Sequence, residues 1–198
     1  MNLFWLDSDV TRCAQAHQDA HCGKMLLELM QQLCTAFPVP QDPGPPFVTW
    51  LDSTPDQRIA ADLLPYSHTH VNHPCALWVR ASRANFDRAI ELAEALTAEF
   101  RYHFDKPHAS EAALNWVKRH RSEALVPDGP LTPYALAMPD EYLLNNLLLP
   151  ATLHNTVAAY RAYYRAEKRG HWRKSRDPAK PSTWVPAKWT RRDPPEWF

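Results

Sequence analysis

The sequence predicts a mainly α fold, with a short extended segment at the N-terminus and a basic, Pro/Trp-rich arm at the C-terminus. Apolar residues recur at helical spacing through most of the chain. Capping residues such as Asp9 and Ser110 precede these periodic stretches. After Gly170, prolines and charges dominate and predict extended chain. We therefore place a single helical domain at residues 1–170 and the arm at 171–198.

The predicted elements follow one another in a simple order. Residues 2–6, NLFWL, predict a buried strand or an extended entry segment, and a long helix follows over about 9–36. Prolines between positions 38 and 46 end that helix. Later helices are predicted near DQRIAADLL, in CALWVRAS after a cap at Asn72 or His73, and over about 84–103, 111–124, MPDEYLLNN and 151–169.

Composition narrows the class of protein. The chain has 198 residues, 45% of them apolar, which is enough for a substantial core. No apolar run approaches the ~18 residues of a membrane span, and the first residues do not form a signal peptide. The four cysteines show no CxxC spacing and predict reduced thiols. We expect a cytoplasmic protein with no membrane association, no cofactor and no obligate protein partner.

The net charge of zero conceals an uneven distribution. Residues 1–160 hold 11 Lys and Arg against 18 Asp and Glu, whereas residues 161–198 hold 11 against 4. The C-terminal part therefore carries about +7 and also several tryptophans. Basic residues interleaved with aromatic residues suit a nucleic acid, so we expect DNA as a partner. The alternative is that the arm folds back onto the acidic body and its tryptophans pack there.

A stripe of polar residues interrupts the apolar first helix. In HQDAHCGKMLLE, His17, His21, Lys24 and Glu28 follow one another at spacings of four, three and four, which places all four on one helical face. The His pair is able to chelate a metal, and a partly buried lysine is able to act as a nucleophile. The alternative is a structural network of hydrogen bonds and ion pairs.

Two other segments place polar groups at helix starts. HTHVNHPCALWVR precedes a helix whose N-terminus favours an anion, although an ordinary capping loop explains it equally. In AMPDEY, Asp140 and Glu141 fall in the first turn of a helix. Such a carboxylate is able to activate water or stabilise a cation-like sugar.

The segment YRAYYRAEKRGHWRK combines aromatic and basic residues. Tyr160, Tyr164 and Lys168 share one helical face, and Arg161 and Arg165 share another. The tyrosines fit either a core or a ligand-binding stripe, whereas the arginine face predicts phosphate contacts.

Taken in order, six segments resemble a family of short phage and bacterial proteins described as related to pyrimidine-dimer DNA glycosylases. The matching segments are NLFWLDSD, CAQAHQDAHCGKM, NHPCALWVR, MPDEY, YRAYYRAEK and PPEWF. The resemblance spans nearly the whole chain and implies excision of a damaged or modified pyrimidine from DNA. Such an enzyme extrudes the nucleotide, holds it in a pocket and cleaves the bond from base to sugar.

The resemblance also implies roles for individual residues. Asp140, with Glu141 second, would stabilise the oxocarbenium-like transition state. Lys24 would attack the sugar carbon and form a Schiff base with lyase activity. His17 and His21 are also expected to be catalytic residues and to contact the extruded base. The other residues expected to bind substrate are Glu28, Asn72, His73, Trp78, Arg80, Glu141, Tyr142, Tyr160, Arg161, Tyr164 and Lys168.

Three positions depart from the family's pattern: Asn2, the polar Gln18, and Gly23. The pyrimidine-dimer enzymes use an N-terminal amine as nucleophile, but here Asn2 follows Met1, and methionine is removed efficiently only before small residues. The amine mechanism is therefore not transferred. Gly23 removes bulk and predicts a larger pocket, suited to a hypermodified base such as glucosylated hydroxymethylcytosine in phage DNA. An enzyme with that specificity would act in defence against phages.

Two other functions fit the same residues. One is a metal-dependent nuclease or phosphodiesterase that uses His17, His21, His70, His73 and Asp140. The other is a nucleic-acid-binding protein without enzymatic activity, in which the polar stripe is structural.

Overall fold

The computed structural model describes residues 2–40, 50, 52–147, 150–173 and 181–198, without the side chains of 144–147 and of 172 and 173. It confirms the predicted mainly α fold. The helices are α1 (Val10–Ala16), α2 (Asp19–Cys34), α3 (Pro55–Ala60), α4 (Pro74–Ala81), α5 (Arg83–Phe104), α6 (Glu111–Arg119), α7 (Asp140–Leu147) and α8 (Leu153–Glu167). Strands β1 (Gly170–Arg173) and β2 (Thr183–Pro186) follow.

The core forms around the N-terminal segment and the long helices α2 and α5. Leu3, Phe4, Trp5 and Leu6 are all buried, so this extended segment runs through the interior. Trp5 stacks on Tyr134 with ring centroids 3.9 Å apart. Burial of such large side chains provides most of the stability of a chain this size. The four cysteines are free and buried among these residues.

The single long helix predicted over 9–36 is wrong, because the chain breaks between α1 and α2. His17 and Gln18 have extended backbone, with ψ of 131° and 157°. The break leaves amide groups without helical partners, and distant residues satisfy them. The Gln18 N–H donates to Tyr164 Oη at 3.1 Å, and the Asp19 N–H donates to Lys188 O at 2.8 Å.

The arm is also more regular than predicted. β1 and β2 pair as an antiparallel hairpin, with His171 opposite Val185. Beyond β2 the chain returns to the helical body, where Trp189 Nε1 donates to Ala16 O at 3.3 Å. Trp197 and Phe198 pack against the core. The last residues of the chain therefore fold back, as one of the two expectations for the arm proposed.

Candidate functional site

A polar pocket of about 200 Å³ opens where the N-terminal segment meets α2 and the end of α8. It gathers most of the predicted stripe, together with groups from the start and the end of the chain. Its lining residues are Asn2, Phe4, His21, Lys24, Met25, Glu28, Tyr163 and Lys168. The i,i+3 and i,i+4 spacing within α2 places His21, Lys24 and Glu28 on its side of the helix.

Glu28 is the carboxylate of this pocket. Its side chain is only 14% exposed, and its Oε1 lies 3.8 Å from Lys24 Nζ. Its Oε2 accepts a hydrogen bond of 2.7 Å from the Asn2 backbone N–H. The Asn2 side chain in turn donates to Ala137 O at 2.6 Å and accepts from Tyr160 Oη at 3.3 Å. Buried neighbours thus hold the carboxylate in a defined position.

His21 presents a neutral imidazole to the same pocket. Its Nδ1 lies 2.7 Å from Tyr164 Oη and 3.4 Å from Gln18 Nε2, which is a donor. Because the Gln18 Nε2 amide is only able to donate, Nδ1 is the accepting nitrogen, and the Tyr164 hydroxyl therefore donates its own hydrogen to it. Burial, together with the positive charges of neighbours such as Lys168, lowers the pKa of His21 to about 3. The ring proton is therefore on Nε2, which acts as a hydrogen-bond donor.

Two ammonium groups border the pocket. Lys24 is 62% exposed at its mouth. Lys168 lies with its Nζ 4.7 Å from the centre of the Tyr163 ring and 5.9 Å from that of Phe4. Its carbonyl accepts a hydrogen bond from Gln18 Nε2 at 2.9 Å. This pair of cations favours an anionic ligand, and the two aromatic rings provide apolar surface beside it.

His17 does not share this face, because it lies in the break between the helices. It is fully buried, and its Nδ1–H donates to Cys13 O at 2.8 Å. Burial lowers its pKa to about 4, so the imidazole is neutral. The prediction of four aligned polar residues is thus correct for His21, Lys24 and Glu28 and wrong for His17.

Asp140 and Glu141 lie at the start of α7 and are exposed, and neither lines the pocket. The MPDEY segment approaches the pocket through Tyr142, whose ring centre is 5.1 Å from that of Tyr163. The Tyr142 hydroxyl donates to Glu167 at 2.8 Å, and this bond raises the pKa of Tyr142 to about 12.

The residues around α4 that were predicted to bind substrate make hydrogen bonds and packing contacts within the protein. His73 is the cap, accepting from the Cys75 N–H at 3.2 Å, and Asn72 is exposed beside it. Arg80 donates to Val71 O at 2.5 Å. Trp78 is a core residue, 6% exposed and packed against Trp5 and Tyr134, and it does not line the pocket.

On the face of α8 that was predicted to bind phosphates, the Arg161 guanidinium is engaged by groups of the protein itself. Arg161 donates to Leu6 O and to Asp7 Oδ2, both at 2.6 Å, and lies over the Trp197 ring. Tyr160 and Tyr164 are fully buried and act as hydrogen-bond partners of Asn2 and His21. Their hydroxyl groups therefore help to hold Asn2 and His21 in position at the pocket.

Gly23 is not among the residues that line this pocket. A Cβ at this position would lie 3.0 Å from the Phe100 ring, so the glycine permits close packing of α2 against α5. The expected enlargement of a substrate pocket by Gly23 is therefore not what the structure shows.

A larger cleft of about 800 Å³ lies between the returning C-terminal residues and α1. Three of its four arginines are in ion pairs: Arg161 with Asp7, Arg191 with Asp105 and Arg192 with Glu99. Its described lining residues include no histidine or lysine, so the smaller pocket has the more complete set of groups for acid–base chemistry.

The alternative function, a metal-dependent nuclease or phosphodiesterase, requires a set of metal ligands, and the described part of the chain does not provide one. No group of three or more His, Cys, Asp or Glu side chains suited to a metal occurs there. His68, for example, is engaged with Phe37 O at 2.9 Å.

Among the helices of the described residues, none has the length and apolar character needed to cross a membrane. No family model, curated protein or solved structure matches the chain.

Proposed function

We propose that this protein is a DNA glycosylase that excises a damaged or modified pyrimidine and leaves an abasic site. The observation that carries the proposal is the pocket on α2, where a fixed carboxylate, an ammonium and a neutral imidazole N–H converge. A pocket of about 200 Å³ has room for a single base. The resemblance of the ordered segments to the glycosylase-like family supports the same reaction.

The chemistry assigns one task to each polar group. Cleavage of the base–sugar bond builds positive charge on the sugar, and Glu28 stabilises it and accepts a proton from the attacking water. The His21 Nε2–H donates to an oxygen of the departing pyrimidine, where negative charge develops. Phe4 and Tyr163 offer ring surface to the extruded base.

The lysines complement the anionic DNA strand. Lys168 binds a phosphate beside the extruded nucleotide, and Lys24 lies close enough to Glu28 to act on the same sugar. If Lys24 attacks the sugar carbon, a Schiff base forms, and borohydride traps it as a covalent protein–DNA adduct. Wild-type protein that gives no adduct, yet releases a base, identifies a hydrolytic enzyme without lyase activity.

The substrate is tested with three DNAs: unmodified, ultraviolet-irradiated, and phage DNA containing glucosylated hydroxymethylcytosine. We expect purified protein to release a free base, detected by mass spectrometry, and to create alkali-sensitive sites in one of the modified DNAs. The proposal places this activity in the cytoplasm, where invading DNA arrives. Intact bases in all three DNAs would contradict it.

A further inference from the structure

The two parts of the arm differ in their contacts with the helical body. The last residues of the arm are neutralised there, since Arg191 and Arg192 pair with Asp105 and Glu99. In contrast, β1 and β2 make their main contacts with each other. No third strand pairs with them in the portion of the chain that the structure describes.

The hairpin and its flanks are strongly basic. Residues 168–188 contain seven Lys or Arg and one Asp. Lys188, Arg169 and His171 are exposed. A segment with this charge balance is complementary to a polyphosphate chain.

Trp184 is an exposed aromatic side chain on this basic ribbon. It is 46% exposed, although large apolar residues are usually covered. Its ring lies directly against Gly170, where an added Cβ would come within 2.6 Å of the indole. This packing fixes the ring at the base of the hairpin and leaves nearly half of its surface accessible.

The base of the hairpin adjoins the candidate pocket. Lys168 lines the pocket and lies two residues before β1. The Ala187 N–H donates to Arg169 O at 2.7 Å, which closes the ribbon at that end. A DNA strand that places a nucleotide in the pocket therefore passes along the hairpin.

The geometry points to the β1–β2 hairpin as a DNA-binding ribbon in which Trp184 stacks on a base exposed when the neighbouring nucleotide is extruded. This inference rests on the proposed function, since DNA is the substrate there. A two-stranded ribbon fits the major groove, and aromatic rings stack on unpaired bases without regard to sequence. The basic residues hold the backbone on either side.

The test measures affinity for a short fluorescein-labelled duplex with one abasic site, and for the same duplex without it. Trp184→Ala is expected to weaken binding of the abasic-site duplex about tenfold, and of the intact duplex less. Leu125→Ala, at an exposed apolar residue outside the hairpin, should bind like wild type. Thermal unfolding by circular dichroism checks that each variant is folded.

A second pair of variants tests the charge. Lys188→Gln should lower the slope of log affinity against log salt by about 1, and Lys106→Gln, an exposed lysine between α5 and α6, should not. Hairpin variants that bind both duplexes like wild type would overturn the inference, as would wild-type protein that binds neither.

The two proposals fail in different ways. If wild type releases a base but the hairpin variants bind normally, only the hairpin assignment is wrong. If wild type binds through Trp184 and Lys188 but releases no base, base excision is wrong and the ribbon stands.

Discussion

At the scale of single residues, the polar groups of the pocket are organised by buried neighbours. Tyr164 and Gln18 act on one nitrogen of His21 and so direct its proton to the other. Asn2 holds Glu28 through its backbone and is itself fixed by Ala137. Few of these contacts are exposed to water, so the site is positioned before any ligand arrives.

The two buried histidines predict a specific loss of stability in mild acid. Their pKa values are about 4 for His17 and about 3 for His21, below the usual 6.5. Below pH 6.5 the unfolded chain binds protons that the folded chain does not, so the free energy of unfolding decreases as pH falls. Each histidine contributes about 1.4 kcal/mol per pH unit between pH 6.5 and its folded pKa, and nothing above pH 7.

Urea unfolding of wild type and His21→Gln at pH 7.5 and 5.5 measures this effect. Between these two pH values, wild type should lose about 1.4 kcal/mol more than the variant, because all other titrating groups cancel in the comparison. Equal losses in the two proteins would show that His21 is protonated in the folded state.

At the scale of elements, two ion pairs attach the last residues of the arm to the helical body, and the carboxylate is buried in one pair and exposed in the other. Arg192 pairs with Glu99, whose side chain is 5% exposed and also bonds His103 Nε2 at 2.9 Å. Arg191 pairs with Asp105, which is 71% exposed. Removing one partner of a buried pair leaves an uncompensated charge, whereas a surface pair contributes little.

Arg192→Ala should therefore lower the free energy of unfolding by about 2 kcal/mol and expose residues near 190 to proteases. Arg191→Ala is the matched control and should cost less than about 1 kcal/mol, with little change in cleavage. Both quantities come from denaturant unfolding and limited proteolysis. Indistinguishable variants would mean that Glu99 does not hold the arm.

The hairpin depends on the absence of a side chain at Gly170. A Cβ there would lie 2.4 Å from Val185 O and 2.6 Å from the Trp184 ring, closer than packing allows. Gly170→Ala should displace Trp184 and reduce affinity for the abasic-site duplex, with the melting temperature nearly unchanged because the hairpin is outside the core. Ser182→Ala, at an exposed position before β2, is the control. Unaltered binding by Gly170→Ala would show that the position of Trp184 is irrelevant to DNA.

At the scale of the whole molecule, local patterns predicted the helices well. A cap at Asn72 or His73, followed by Pro74, predicted the start of α4, and the structure has His73 as the cap. Apolar periodicity located α5 within a residue or two. These features depend on neighbours in sequence, which a pattern records.

Features stabilised by distant residues were not predictable in this way. The break at His17 depends on Tyr164 and Lys188, which follow it by more than 140 residues. The prolines and charges after Gly170 predict extended chain, and they give no indication that β1 pairs with β2.

The site was predicted in part for the same reason. Helical spacing correctly grouped His21, Lys24 and Glu28, since these residues share α2. It gave no information on which other segments face them. The resemblance favours Asp140 as the reactive carboxylate, yet the carboxylate that lines the pocket is Glu28. The contribution of Asn2 was visible only in three dimensions.

The most direct test of the account compares base release by wild type, Glu28→Gln and Asp140→Asn under single-turnover conditions, on whichever DNA wild type attacks. Glu28→Gln should be slower by about 10²–10³-fold, as expected when a group that stabilises transition-state charge is lost. Asp140→Asn should remain close to wild type, because Asp140 is exposed and lies outside the pocket lining. A fully active Glu28→Gln, or an inactive Asp140→Asn that is still folded, would contradict the pocket on α2 as the catalytic centre.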